Sequence, residues 1–178
     1  MKNIFVFCLL LLFVCGCSES EEGTKYFENG EYIGFADVDV NATREECTES
    51  GFLILDGIKI VENYDTVKEF IEDTSDKNNI RLRIALFHDE EGPAYADLIF
   101  HEGEYYFYYL DEESYPAEPY RHLLILEGEW GLPKQQYKML VVSDNEMLTF
   151  DEVNKAMVSS SMDYINSVGR FRIVLFKY

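Results

Sequence analysis

Apolar positions along this chain recur with two periods. Phe52-Leu53-Ile54-Leu55 and Ile58-Lys59-Ile60-Val61, on either side of Asp56-Gly57, predict a strand pair or one bulged strand. Tyr64, Val67, Phe70 and Ile71 then recur at helical spacing, so a helix is expected from an Asn63 cap to about Asp73. Ile80 to Leu86 alternates as a half-buried strand does, and Asp89-Glu90-Glu91-Gly92-Pro93 is expected to turn the chain. Ala94 to Phe100 and Tyr105 to Leu110 read as a hairpin with Glu102-Gly103 at its turn, so that His101 faces Glu104 and Ala96 faces Tyr109.

That register sorts the hairpin into two faces. Ala96, Leu98, Phe100, Tyr105, Phe107 and Tyr109 form a plain core face, whereas Tyr95, Asp97, Ile99, His101, Glu104, Tyr106, Tyr108 and Leu110 mix aromatic and polar groups. Leu123 to Leu126 and Tyr137 to Val142 are two further strands, and Phe171 to Phe176 is a closing one. Thr149-x-x-Glu152 is a capping box opening a second helix, with Phe150, Val153, Ala156 and Met157 inward. Strands grouped with two helices predict an α+β fold, a largely antiparallel sheet with the helices packed on it.

The N-terminus follows another rule. One lysine in Met1-Lys2-Asn3 precedes an apolar run of 11 residues, Ile4 to Val14. A bilayer core of about 30 Å needs about 20 residues, so this run is an export signal and not a membrane span. It ends in Val14-Cys15-Gly16-Cys17 followed by the polar Ser18-Glu19-Ser20-Glu21-Glu22. That exit looks like the lipobox of bacterial lipoproteins, although Cys15 is an unusual occupant of the middle position. The likeness implies cleavage after Gly16 and acylation of the Cys17 thiol, a membrane anchor on the extracytoplasmic side. Residues 1–16 are thus expected to be the signal peptide, 17–30 the lipidated cysteine with its acidic linker, and 31–178 a single globular domain. Only Cys47 remains in the folded part, so no intrachain disulfide is expected there.

Charge narrows the partners. The 178 residues hold 15 Lys+Arg against 34 Asp+Glu, a formal charge of −19, and losing the leader would remove one lysine more. Such a surface excludes nucleic acid, which demands a cationic stripe. It is also repelled by anionic headgroups, so the tether and not the domain is expected to engage the membrane.

Candidate chemistry is thin. Ser143-Asp144-Asn145 matches one triplet of serine penicillin-recognising enzymes, but no serine has a lysine three positions later and no K-T-G occurs. Asp37-x-Asp39-x-Asn41 opens like a calcium loop, yet Ala42 replaces the turn glycine and Thr48 the bidentate acid. His88, His101 and His122 stand singly, so no metal site and no cofactor is expected. Acidic neighbours would blunt the Cys47 thiolate. The aromatic set is the remaining lead: Tyr95, Tyr106 and Tyr108, with Tyr115, Tyr120 and Trp130 from nearby loops, are a candidate interaction surface, because tyrosine and tryptophan bury area while keeping a polar handle.

Arg83-Ile84, Glu91-Gly92-Pro93, Asp97-Leu98, Gly103, Tyr108 and Asp111 carry one resemblance. The stretch from about residue 50 to 111 resembles domain of unknown function forty-three sixty-two of small bacterial lipoproteins. The resemblance implies a cell-surface lipoprotein and assigns no activity and no functional residue. Together these features lead to the expectation of a membrane-anchored, non-enzymatic module that binds a protein or small ligand at the cell envelope. The alternatives are an inhibitor or immunity-type protein that neutralises a cationic hydrolase, and an enzyme whose site is assembled from dispersed residues.

Overall fold

The computed structural model of the chain describes residues 26–28, 31–75, 79–88, 91–110 and 118–177. The expected leader, Cys17, most of the acidic linker and Tyr115 lie outside the described residues. Along the chain run β1 (Phe27–Glu28), β2 (Glu31–Tyr32), α1 (Arg44–Glu49), β3 (Leu53–Asp56), β4 (Lys59–Glu62), α2 (Asp65–Ser75) and β5 (Ile80–His88). There follow β6 (Glu91–His101), β7 (Glu104–Tyr109), β8 (His122–Trp130), β9 (Gln135–Ser143), α3 (Phe150–Val158), α4 (Met162–Val168) and β10 (Phe171–Lys177). The fold is α+β, with mostly antiparallel sheets. No helix among the described residues is long and apolar enough to cross a membrane.

The larger sheet has the order β4-β3-β5-β6-β7. One end of it, β6-β7, is the expected hairpin, with Ala96 opposite Tyr109 and His101 opposite Glu104. Glu102 and Gly103 take φ of 52° and 89°, and two positive values in a row match the twist of the flanking strands. β3 and β5 pair in parallel because β4 and α2 together supply the crossover that parallel neighbours need. β6 already starts at Glu91, so Gly92 and Pro93 lie within a strand and the turn expected over 89–93 is shorter. The smaller sheet, β10-β9-β8, is antiparallel throughout.

Two cores result. One face of the larger sheet (Leu53, Leu82, Ile84, Leu98, Phe100, Phe107) packs on Val67 and Phe70 of α2 and on Leu140, Val142, Val174 and Leu175 of the smaller sheet. The smaller sheet turns Met139 and Val141 the other way, onto Phe150, Val153 and Val168 of α3 and α4. Gly128 in β8 lets α3 approach, since a Cβ there would collide with the Phe150 ring. Met157, expected inward, is 52 % exposed, and α3 buries Phe150, Val153 and Ala156 instead.

The remaining face of the larger sheet is covered by the N-terminal segment. Tyr26, Phe27, Tyr32, Phe35 and Val38 lie on it, and α1 adds Cys47. β1 pairs with β2, and Ile33 N–H donates to the Tyr26 carbonyl at 2.9 Å, so residues 26–28 belong to the fold and not to the linker expected over 17–30. Asn63 does not cap α2 with its side chain. Its φ is 58°, and its amide donates backwards to the carbonyls of Thr48 and Phe52, tying α1 to β3. α1 and α4 are additional to the two expected helices. At six and seven residues they are too short to show a period, although Thr43-x-x-Glu46 closes the same capping box as Thr149-x-x-Glu152. Thr149→Ala removes the acceptor for Glu152 N–H at the start of α3 and is expected to lower stability by about 1 kcal/mol, measured as a shift of the urea midpoint.

Candidate functional site

Arg81 and Arg83 alternate with Leu82 and Ile84 in β5, so a period of two puts both guanidiniums on the covered face of the larger sheet. Register sets Arg83 opposite Asp97, and Asp97 opposite Tyr108. Asp97 has no solvent exposure. Its carboxylate takes Arg83 as a two-pronged partner, Nε to Oδ1 at 3.1 Å and Nη2 to Oδ2 at 3.2 Å, and also accepts a short hydrogen bond from the Tyr32 hydroxyl. The same guanidinium donates through Nη1 to Asp37 at 3.0 Å and through Nη2 to the Gly34 carbonyl.

A charge buried this deeply persists only when paired and fully hydrogen-bonded. Burial is the largest influence on the Asp97 carboxyl and raises it above its ordinary range, against the pull of Arg83, Tyr32 and Arg81. Burial, followed by the Asp97 charge, also raises the Tyr32 phenol, which stays protonated and donates. Gly34 is required because the Tyr32 phenol crosses over it, and a Cβ would occupy the same space.

Beside this cluster a cleft of about 810 Å³ opens between the N-terminal segment with α1 on one side and α2 on the other. Tyr26, Asp39, Glu69, Asp73, Arg81 and Arg83 are among its lining residues. Its volume lies within the roughly 300–1,000 Å³ usual for small-ligand sites.

The expected aromatic surface is not assembled. Tyr95 is 2 % exposed: its hydroxyl donates to the Asp39 carbonyl at 2.8 Å and lies 3.5 Å from Cys47 Sγ. Tyr108 is 8 % exposed and stacks on Tyr32 with centroids 4.3 Å apart, and burial pushes its phenol up to about 12. Tyr106 is half-buried beside Phe27, its ring parallel to Tyr108. Trp130 lies on the other sheet, against Tyr137 and Phe176, and is 43 % exposed. The first three tyrosines thus hold the N-terminal segment down, and Trp130 shares no surface with them. Cys17 lies outside the described residues.

The weaker motifs resolve into structure. Ser143 is buried; its hydroxyl donates to the Arg170 carbonyl and accepts from Asn145 N–H. Asp144 pairs with Arg170, Nε to Oδ2 at 2.8 Å. Asp37 is held by Arg83, and Asp39 caps the Asn41 N–H at 2.8 Å. Among the described residues no three His, Cys, Asp or Glu are grouped to hold a metal ion.

Missed from the sequence was the Tyr32-Arg83-Asp97 cluster with Arg81. Its signal was present: charged residues in the middle of strands that otherwise bury Leu82, Ile84, Leu98 and Ile99 must find partners. No protein-family model matches the chain, and no curated protein or solved structure does either.

Asp97→Asn leaves the buried Arg83 charge with only the exposed Asp37 as counterion and is expected to cost about 3 kcal/mol; a urea midpoint equal to that of the wild type would contradict the assignment. Acid should act in part at the end of β9 and the start of α3. Hydrogen bonding from Arg170 holds the Asp144 carboxyl below its ordinary range, and Thr149 does the same for Glu152. Depressed folded-state values mean stability that is present above the unfolded values of about 4 and lost as pH falls through the folded ones. The urea midpoint is expected to drop between pH 5 and pH 3, and to drop less in Asp144→Asn.

Proposed function

We propose that this chain is a bacterial lipoprotein, held by acylated Cys17 on the extracytoplasmic face of a membrane, whose domain is a non-enzymatic binding module. The anchor rests on the short apolar leader and the Val14-Cys15-Gly16-Cys17 exit. Two acyl chains, at about 0.8 kcal/mol per buried CH₂, suffice for stable attachment. The stretch that resembles the uncharacterised lipoprotein domain, residues 50–111, spans β3 to β7 with α2, which is the whole larger sheet.

One observation carries the binding reading: the cleft of about 810 Å³ is bordered by buried ionisable groups that the fold itself engages. Arg83 is taken by Asp97 and Asp37, and Tyr95 by the Asp39 carbonyl. A general acid or base needs a proton or lone pair directed at the substrate. These groups direct theirs at neighbouring protein, and what they supply to the cleft is a rigid, charged wall.

The tether then places the cleft. Nine residue steps separate Cys17 from Tyr26, the first described residue and part of the cleft wall. At about 3.3–3.6 Å per residue they reach roughly 30 Å, so the domain works close to the bilayer surface. Mass spectrometry of the native protein is expected to find Cys17 N-terminal and carrying acyl mass, and Cys17→Ser is expected to move the protein out of the membrane fraction. An uncut leader, or wild-type retention of the variant in membranes, would overturn the anchor.

A further inference from the structure

The cleft presents charges of both signs, and two of its carboxylates, Glu69 and Asp73, have no ion pair among the described residues. Its two guanidiniums differ. Arg83 spends Nε, Nη1 and Nη2 on Asp97, Asp37 and the Gly34 carbonyl. Arg81, with 21 % of its side chain exposed, donates through Nη1 to the Gly34 carbonyl at 3.0 Å, pairs with Asp97 Oδ2 at 3.8 Å and also bonds Tyr32, with its remaining donors toward the cleft it lines. Its Cζ lies over the Tyr26 ring, 5.4 Å from the centroid. A guanidinium carries five donors in one plane, and those beyond the Gly34 and Tyr32 bonds suit a planar two-oxygen acceptor, which is the geometry of a carboxylate.

The opposite wall has the complementary charge. Glu69 and Asp73, four residues apart on α2 and so on one helix face, both line the cleft and are exposed. Neither makes an ion pair among the described residues, whereas Asp37 is engaged by Arg83 and Glu46 by its Thr43 cap. A simple anion would meet five lining carboxylates against two guanidiniums. A simple cation would displace water from Arg81 and leave its donors without an acceptor.

We propose that the cleft takes a short cationic peptide by its C-terminus, with the terminal carboxylate on Arg81 and the side-chain amines on Glu69 and Asp73. This deepens the binding-module reading and rests on it.

Titration calorimetry on the full chain in detergent micelles, with trilysine and trilysine amide as probes, tests the assignment. Trilysine is expected to bind one to one and its amide about tenfold more weakly, the loss of one charge-assisted contact. Arg81→Gln should weaken trilysine about tenfold and leave the amide no weaker, while Glu69→Gln should weaken both equally. Should Arg81→Gln lower the urea midpoint, Arg81→Lys keeps the charge, removes the two-pronged donor, and should weaken trilysine alone. Equal affinity for the acid and the amide, as a polycation on an acidic surface would give, overturns the proposal, and so does absence of binding by both. Neither result bears on Cys17 acylation, which mass spectrometry reads separately.

Discussion

The arrangement of the N-terminal part depends on one fully buried carboxylate. Asp97 sits mid-strand in the larger sheet, where a lone charge would be prohibitively costly, and it is tolerable only because Arg83 and Tyr32 both reach it. Arg83 comes from the neighbouring strand, so that part of the pair forms with the sheet. Tyr32 and the Gly34 carbonyl come from the segment laid across the sheet, so the pair is complete only when that segment is docked in one register. Hydrophobic contact alone would let Tyr32, Phe35 and Tyr108 slide over one another; the directional hydrogen bonds of the guanidinium do not. A buried ion pair of this kind selects one arrangement more than it adds net stability.

Arg170 repeats the device on the smaller sheet. It binds Asp144, donates to the carbonyls of Glu118 and Pro119, and covers the Tyr120 ring at 4.4 Å. Tyr120 in turn exchanges backbone hydrogen bonds with Tyr105 at the start of β7, which joins the two sheets. Each irregular segment is therefore held by one arginine that satisfies an aspartate and a backbone carbonyl together. Backbone groups away from the sheet ladders need such partners once water is excluded. The cleft takes its shape from the first of these clamps, because Arg83 and Asp37, which hold the segment, also line its wall.

Local spacing made much of the fold legible. The positive-φ turn at Glu102-Gly103, the facing of Ala96 and Tyr109, the helical recurrence of Val67 and Phe70, and the Thr149-Glu152 box all concern residues within a few positions of one another. Asn63 shows where that logic stops. Its type suits a helix cap, whose side-chain oxygen accepts a local N–H, but its amide is turned instead to donate to two distant carbonyls, of Thr48 and Phe52. α1 was invisible to periodicity because six residues complete fewer than two turns.

By itself, then, the order of residues determined the strand faces, the turns and caps, the acidity and the apolar run from Ile4 to Val14, since each depends on neighbours in the chain or on totals. Period-two spacing says that Tyr95, Asp97, Tyr106 and Tyr108 share a side, and it is silent about what lies over that side. Only the tertiary structure decided that residues 26–28 and 31–47 cover it, turning a candidate recognition surface into a buried polar core and leaving the cleft at its edge. The reason is range: the partner of Asp97 in the covering segment is Tyr32, 65 positions away, and no local period records a contact at that separation.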